Sequence, residues 1–149
     1  MISRRTLLGA AAVIGLGTPA CSAQRPALTV YKTASCGCCQ GWIDIMQKAG
    51  YAPKVVVVED INSVGTRYGV PFELSSCHIG TFGGYVTVGH IPPADVERLL
   101  RERPKAIGIT VPGMPMGSPG MEMPDGAKEA YQTLLLLPGG QTRVFARHA

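Results

Sequence analysis

Residues 28–33, Leu-Thr-Val-Tyr-Lys-Thr, alternate apolar and polar positions, which predicts a half-buried β-strand. Farther on, Trp42, Ile45, Met46 and Ala49 fall at i, i+3, i+4 and i+7. That spacing gives one apolar face of a helix, and Gly50 stands where a C-terminal cap belongs. Lys54 to Val58 is a lysine followed by four valines and predicts a strand buried on both faces of a parallel sheet. Asp60 is placed to cap a short helix running through Tyr68, with Gly69 as its stop. A further helix is predicted from Pro93 to Arg103, with Val96, Leu99 and Leu100 turned inward and Pro104 ending it. Tyr131–Leu137, the turn Pro138-Gly139-Gly140 and Thr142–Arg147 read as a hairpin.

The segments 79–89 and 111–126 are rich in glycine and read as loops. The second is long for a structureless connection, and loops of that length are commonly functional. Together these elements predict an α/β domain of thioredoxin-like type. It would have a small, four-stranded mixed β-sheet, flanking helices and long Gly/Met-rich loop insertions. The opening strand–helix–strand unit must cross over right-handed.

Residues 1–23 change this picture, because they read as an export signal. Arg4-Arg5 supplies the positive start, and Leu7 through Leu16 gives roughly ten apolar residues, well short of the ~20 of a membrane span. Ser3-Arg4-Arg5-Thr6-Leu7-Leu8 is similar to a twin-arginine signal, whose cargo is exported already folded. Cleavage is expected after Ala20 or Ala23. Cys21 offers an alternative, a lipid anchor, which Thr18-Pro19-Ala20 fits poorly because the usual leucine is missing. The remaining chain, 24–149, is the length of one domain and carries no transmembrane span. Loss of Arg4 and Arg5 from the 14 basic residues leaves 12 against 10 acidic ones. No basic block survives, which argues against a nucleic-acid partner. The expected location is periplasmic, or extracytoplasmic more broadly.

The chemistry is concentrated in sulfur. Cys36-Gly37-Cys38-Cys39 lies between the first strand and the first helix, and Ser76-Cys77-His78 adds a fourth thiol. A helix start offers unpaired N–H groups and the positive end of a dipole, both of which favour thiolate. Cys36 and Cys39, at i and i+3, can reach each other or share one ion, whereas Cys38 points about half a turn away unless the cluster precedes the helix. In an oxidising compartment the plainer alternative is a set of static disulfides, including a Cys38–Cys77 staple. A third nearby thiol invites scrambling and suits a shared metal site better than a dedicated redox pair. Four sulfurs would also suit structural zinc or an iron–sulfur centre.

His78 and His90 are each candidates for a further ligand or a proton carrier, and His148 reads as solvated. The stretch 114–123 carries two Met-x-Met pairs, Met114/Met116 and Met121/Met123, among Pro and Gly. Thioethers select Cu(I) over harder ions, and neither zinc nor an iron–sulfur centre accounts for them. Pro112 or Pro115 is placed to be the cis proline that thioredoxin-like folds set beside their cysteines.

Val30-Tyr31-Lys32, Cys36-Gly37-Cys38-Cys39, Gly41-Trp42, Val70-Pro71, Ser76-Cys77-His78, Gly84-Tyr85, Gly89-His90-Ile91-Pro92 and Val111-Pro112-Gly113-Met114-Pro115 occur in that order. This succession closely resembles domain-of-unknown-function family 411, whose members include CopG-like copper-resistance proteins. The resemblance implies a thioredoxin-like fold, an extracytoplasmic location, and copper handling by Cys36, Cys38, Cys39 and Cys77, coupled to thiol redox change. Members of that family usually carry an acidic residue just before the Gly-His, where this chain has Val88. A carboxylate there would orient the histidine, so His90 loses that expected support.

The expected function is therefore an exported protein that binds copper as Cu(I) through clustered cysteines, with Met114, Met116 and His90 as secondary ligands. Its partners would be copper ions and other extracytoplasmic copper-handling proteins. The alternative is an enzyme, a thiol–disulfide oxidoreductase in which Cys36 attacks and Cys39 resolves.

Overall fold

A computed structural model describes residues 25–149; the predicted export signal and Cys21 lie outside them. Among the described residues the chain forms one seven-stranded mixed sheet and three α-helices. In chain order the elements are β1 (Leu28–Lys32), α1 (Gly37–Lys48), β2 (Pro53–Val57), α2 (Ile61–Arg67), β3 (His78–Phe82), β4 (Tyr85–Val88), α3 (Pro93–Glu102), β5 (Gly108–Thr110), β6 (Tyr131–Leu136) and β7 (Thr142–His148). The sheet order is β2-β1-β3-β4-β5-β6-β7. β1 runs parallel to β2 and β4 parallel to β5, while the other neighbouring pairs are antiparallel.

Alternation along β1 explains how the layers form. Leu28 and Val30 join a core with Trp42, Ile43 and Met46 of α1 and Val96 and Leu99 of α3. Tyr31 turns the other way, toward Val64 of α2 and Val70. Two helices therefore cover one face of the sheet and one covers the other. Trp42 is fully buried, and its Nε1–H donates to the Ile91 carbonyl at 2.9 Å, so the largest core side chain leaves no polar atom unpaired.

Helix boundaries follow the capping signals. The Asp60 carboxylate accepts from the backbone N–H groups of Asn62 and Ser63, which holds the start of α2. Gly50 (φ +86°) and Gly69 (φ +74°) take the left-handed conformation just past α1 and α2. The β6–β7 hairpin and its Pro138–Gly140 turn lie where the pattern puts them.

Four expectations are corrected. The valine strand β2 is an edge strand, not doubly buried, and Val55 and Val57 stand exposed. Residues 79–89 are not a loop: they form the β3–β4 hairpin at the centre of the sheet, and β5 was not foreseen, so four strands become seven. None of the described peptide bonds is cis, so neither Pro112 nor Pro115 is the expected cis proline. His148 is half-buried, not solvated, with Nε2 2.9 Å from the Asp95 carboxylate. No helix among the described residues is long and apolar enough to cross a membrane.

Candidate metal centre

The first turn of α1 and the bend entering β3 meet at one end of the sheet. Cys36 is the N-cap of α1, in extended conformation, with no side-chain cap of its own. Cys39 lies one turn on, fully buried, and the two are joined in a disulfide with Cα atoms 5.5 Å apart. Cys38 and Cys77 are free thiols, both half-buried. Cys38 does not point away as helical spacing suggested: because Cys36 precedes the helix proper, its Sγ lies 3.6 Å from that of Cys38. Cys38 Sγ is in turn 3.8 Å from Cys77 Sγ, and the Cys38–Cys77 staple is not formed. All four sulfurs lie within 4.8 Å of one another.

Two ends of the chain's middle are tied together to make this meeting. The Ser76 hydroxyl donates to the Gly113 carbonyl at 2.7 Å, and the Thr110 hydroxyl donates to the Leu74 carbonyl at 2.9 Å. These bonds fix the approach to Cys77 against the start of the methionine loop. That loop crosses α1 at Gly120, whose Cα lies 3.2 Å from where a Cβ on Gly41 would stand. A Cβ on Gly120 would itself meet the Trp42 nitrogen at 2.6 Å and the Cys38 carbonyl at 3.0 Å. Two backbones touch here with no side chain between them, which only this pair of glycines permits.

Of the methionines, Met114 reaches the cysteines, its Sδ 4.0 Å from Cys38 Sγ. Met116 is exposed, and no contact joins it to the thiols among the described residues. His90 does reach them: its Nε2 lies 3.2 Å from Cys77 Sγ, and its Nδ1 is 2.8 Å from the Pro119 carbonyl. A carbonyl oxygen can only accept, so Nδ1 carries the proton and Nε2 presents its lone pair to the sulfur. Pro119 thus orients His90, the task expected of a carboxylate at position 88, while Val88 is fully buried in the sheet. Pattern reading missed Pro119, Gly120 and Ser76, since a backbone carbonyl, a close approach and one hydroxyl leave no periodic signal.

Burial dominates the electrostatics of Cys77 and the two histidines. Burial, with Cys38 next, pushes the Cys77 thiol up to about 12. Burial foremost, then the neighbouring His90, holds His78 down at about 3. His90 is also shifted down, again chiefly by burial. Neutral imidazoles and a protonated Cys77 thiol are what a metal-ligating pocket offers before its ion arrives, and a bound cation reverses the balance for that sulfur. The donor set is four cysteine sulfurs, two of them joined in the disulfide, with a thioether and an imidazole nitrogen, so it suits a soft, thiophilic ion and offers nothing for a hard one.

The family profile described as "Protein of unknown function, DUF411" matches residues 74–121. No curated protein matches the chain. Two solved structures do, described as copper resistance protein CopG in its form 2 and form 1. The first is 42% identical over 84% of this chain and 99% of its own, with a TM-score of 0.78. The second is 43% identical over 83% and 98%, with a TM-score of 0.77. With that identity across nearly the whole of both solved chains, and the profile falling on the segment that holds Cys77, His78 and His90, this chain belongs to the DUF411 family.

Proposed function

We propose that residues 24–149 form an exported copper-handling domain, delivered by the signal in residues 1–23, that holds Cu(I) through Cys36, Cys38, Cys39 and Cys77 and serves copper resistance. The observation that carries this reading is the convergence of four sulfurs within 4.8 Å of one another, from sequence positions some forty residues apart. The match to CopG copper resistance proteins supports copper over other soft ions. Met114 stands at the exposed side of the pocket beside Cys38, where a thioether can pass Cu(I) inward. The Cys36–Cys39 disulfide withholds two of the four ligands, so redox change at that pair would govern loading and release to other extracytoplasmic copper-handling proteins.

The test is an anaerobic Cu(I) titration of reduced protein, with free thiols counted on the same sample. Tight binding that consumes the thiols is expected; the absence of a tight site would reject the reading. Cys38→Ser should reduce capacity more than Met114→Ser, because the thiolate bridges while the thioether lies at the edge.

One observation favours a second reading. A disulfide at a helix N-terminus with one partly exposed sulfur is the arrangement of a thiol–disulfide oxidoreductase. Turnover of a disulfide substrate that persists in Cys38→Ser and Cys77→Ser protein would establish it.

A further inference from the structure

We propose that Cys77, His78 and His90 form a second metal site, of one thiolate and two imidazoles, that takes a divalent ion of borderline softness such as Cu(II). It deepens the copper reading above and shares Cys77, with His90 at its edge, with the four-sulfur pocket.

Three side chains place their donor atoms within 4.8 Å of one another. Cys77 Sγ is 3.2 Å from His90 Nε2 and 3.4 Å from His78 Nδ1. Neighbours along a strand normally point to opposite faces. Cys77 lies in the bend just before β3, so its side chain and that of His78 converge instead.

The two histidines are prepared differently. His90 is fixed in one tautomer by Pro119, with the bare Nε2 turned to the sulfur. His78 is fully buried, its ring 4.5 Å from that of Trp42 and edge-on to His90 at 5.0 Å. Its Nε2 has no hydrogen-bond partner among the described residues. A histidine kept only for packing would not need to aim Nδ1 at a thiol.

The donor types select the ion. Imidazole suits Cu(II), Zn(II) and similar ions, and two imidazoles with one thiolate make the trigonal set of thiolate–copper(II) centres. The four-sulfur pocket prefers the monovalent ion. The two sites therefore divide the oxidation states of one metal between them, with Cys77 at their shared corner. The site also survives the disulfide, since neither Cys36 nor Cys39 belongs to it.

The test uses full-length protein with the disulfide intact and Co(II), which does not oxidise thiols, as the probe. Expected are intense four-coordinate d–d bands and a thiolate-to-Co(II) charge-transfer band. The charge-transfer band should vanish in Cys77→Ser, the d–d intensity should collapse in His90→Gln, and both should persist in Cys38→Ser. Pulsed EPR of Cu(II)-loaded wild-type protein, which needs no variant to fold, should show two imidazole nitrogen couplings. Bands that survive His90→Gln or disappear in Cys38→Ser, or fewer than two such couplings, overturn the proposal. A parallel Cu(I) titration of reduced protein separates the two readings: failure there removes the four-sulfur site and leaves the Co(II) result standing.

Discussion

Cys77 joins both groups of ligands, and its surroundings set the pH behaviour of the whole pocket. Its thiol is pushed up to about 12, by burial first and Cys38 second. Metal binding must therefore displace its proton at every pH below that value. Affinity through this one ligand rises about tenfold per pH unit, so competition titrations between pH 6 and 8 should lose about one unit of slope in Cys77→Ser. Without metal the sign is opposite. A thiol whose folded pKa lies above its unfolded value of about 8.5 stabilises the fold below that pH and loses the contribution as pH rises toward 12. His78 works from the acid side. Burial first, then His90, holds it at about 3, so its contribution is complete above pH 6.5 and is lost as pH falls. Metal-free protein should lose about 1.4 kcal/mol per pH unit from this group below pH 6.5, and urea titrations of His78→Phe should show a shallower decline.

Among the elements, Gly120 and Gly37 make a matched pair for testing how the methionine loop is seated. Gly120 has φ +87°, and a Cβ there would strike backbone atoms of α1. Gly120→Ala should cost more than about 1 kcal/mol in chemical denaturation and weaken metal binding by shifting Pro119 from His90. Gly37 has nothing within 4 Å of its Cβ position, so Gly37→Ala should leave stability unchanged or slightly raised. The same contrast shows why some elements were readable and others were not. Caps and periodicity marked β1, α1, α2, α3 and the β6–β7 hairpin, because each signal is local. The β3–β4 hairpin was hidden by its glycines. Gly80 is there because a Cβ would meet the Thr87 hydroxyl at 2.5 Å and the Trp42 ring at 3.5 Å, a close approach that looks like loop composition in the sequence. The valines of β2 announced strand propensity, which says nothing of how many faces are covered. For the site, the cysteines were legible as residues, but their meeting depends on long-range pairing of β1 with β3.

For the molecule as a whole, the disulfide divides two states with different capacity. Among the described residues two thiols are free, Cys38 and Cys77, and reduction of Cys36–Cys39 would make four. Thiol counting before and after reduction should show that doubling, and Cu(I) stoichiometry under argon should rise with it. Equal stoichiometry in the two states would mean that the Cys36–Cys39 pair does not ligate the metal.

The bare contact between Gly41 and Gly120 has a consequence for how far the chain can vary in length. Position 120 is pinned to a helix some eighty residues earlier, so the stretch from Val111 to Gly120 is a measured span and tolerates neither insertion nor deletion. From Met123 to Ala127 the chain hydrogen-bonds only within itself, before Glu129 N–H is tied back to the Met116 carbonyl and Lys128 closes on Gly117, so natural or engineered differences in length should accumulate in that short stretch.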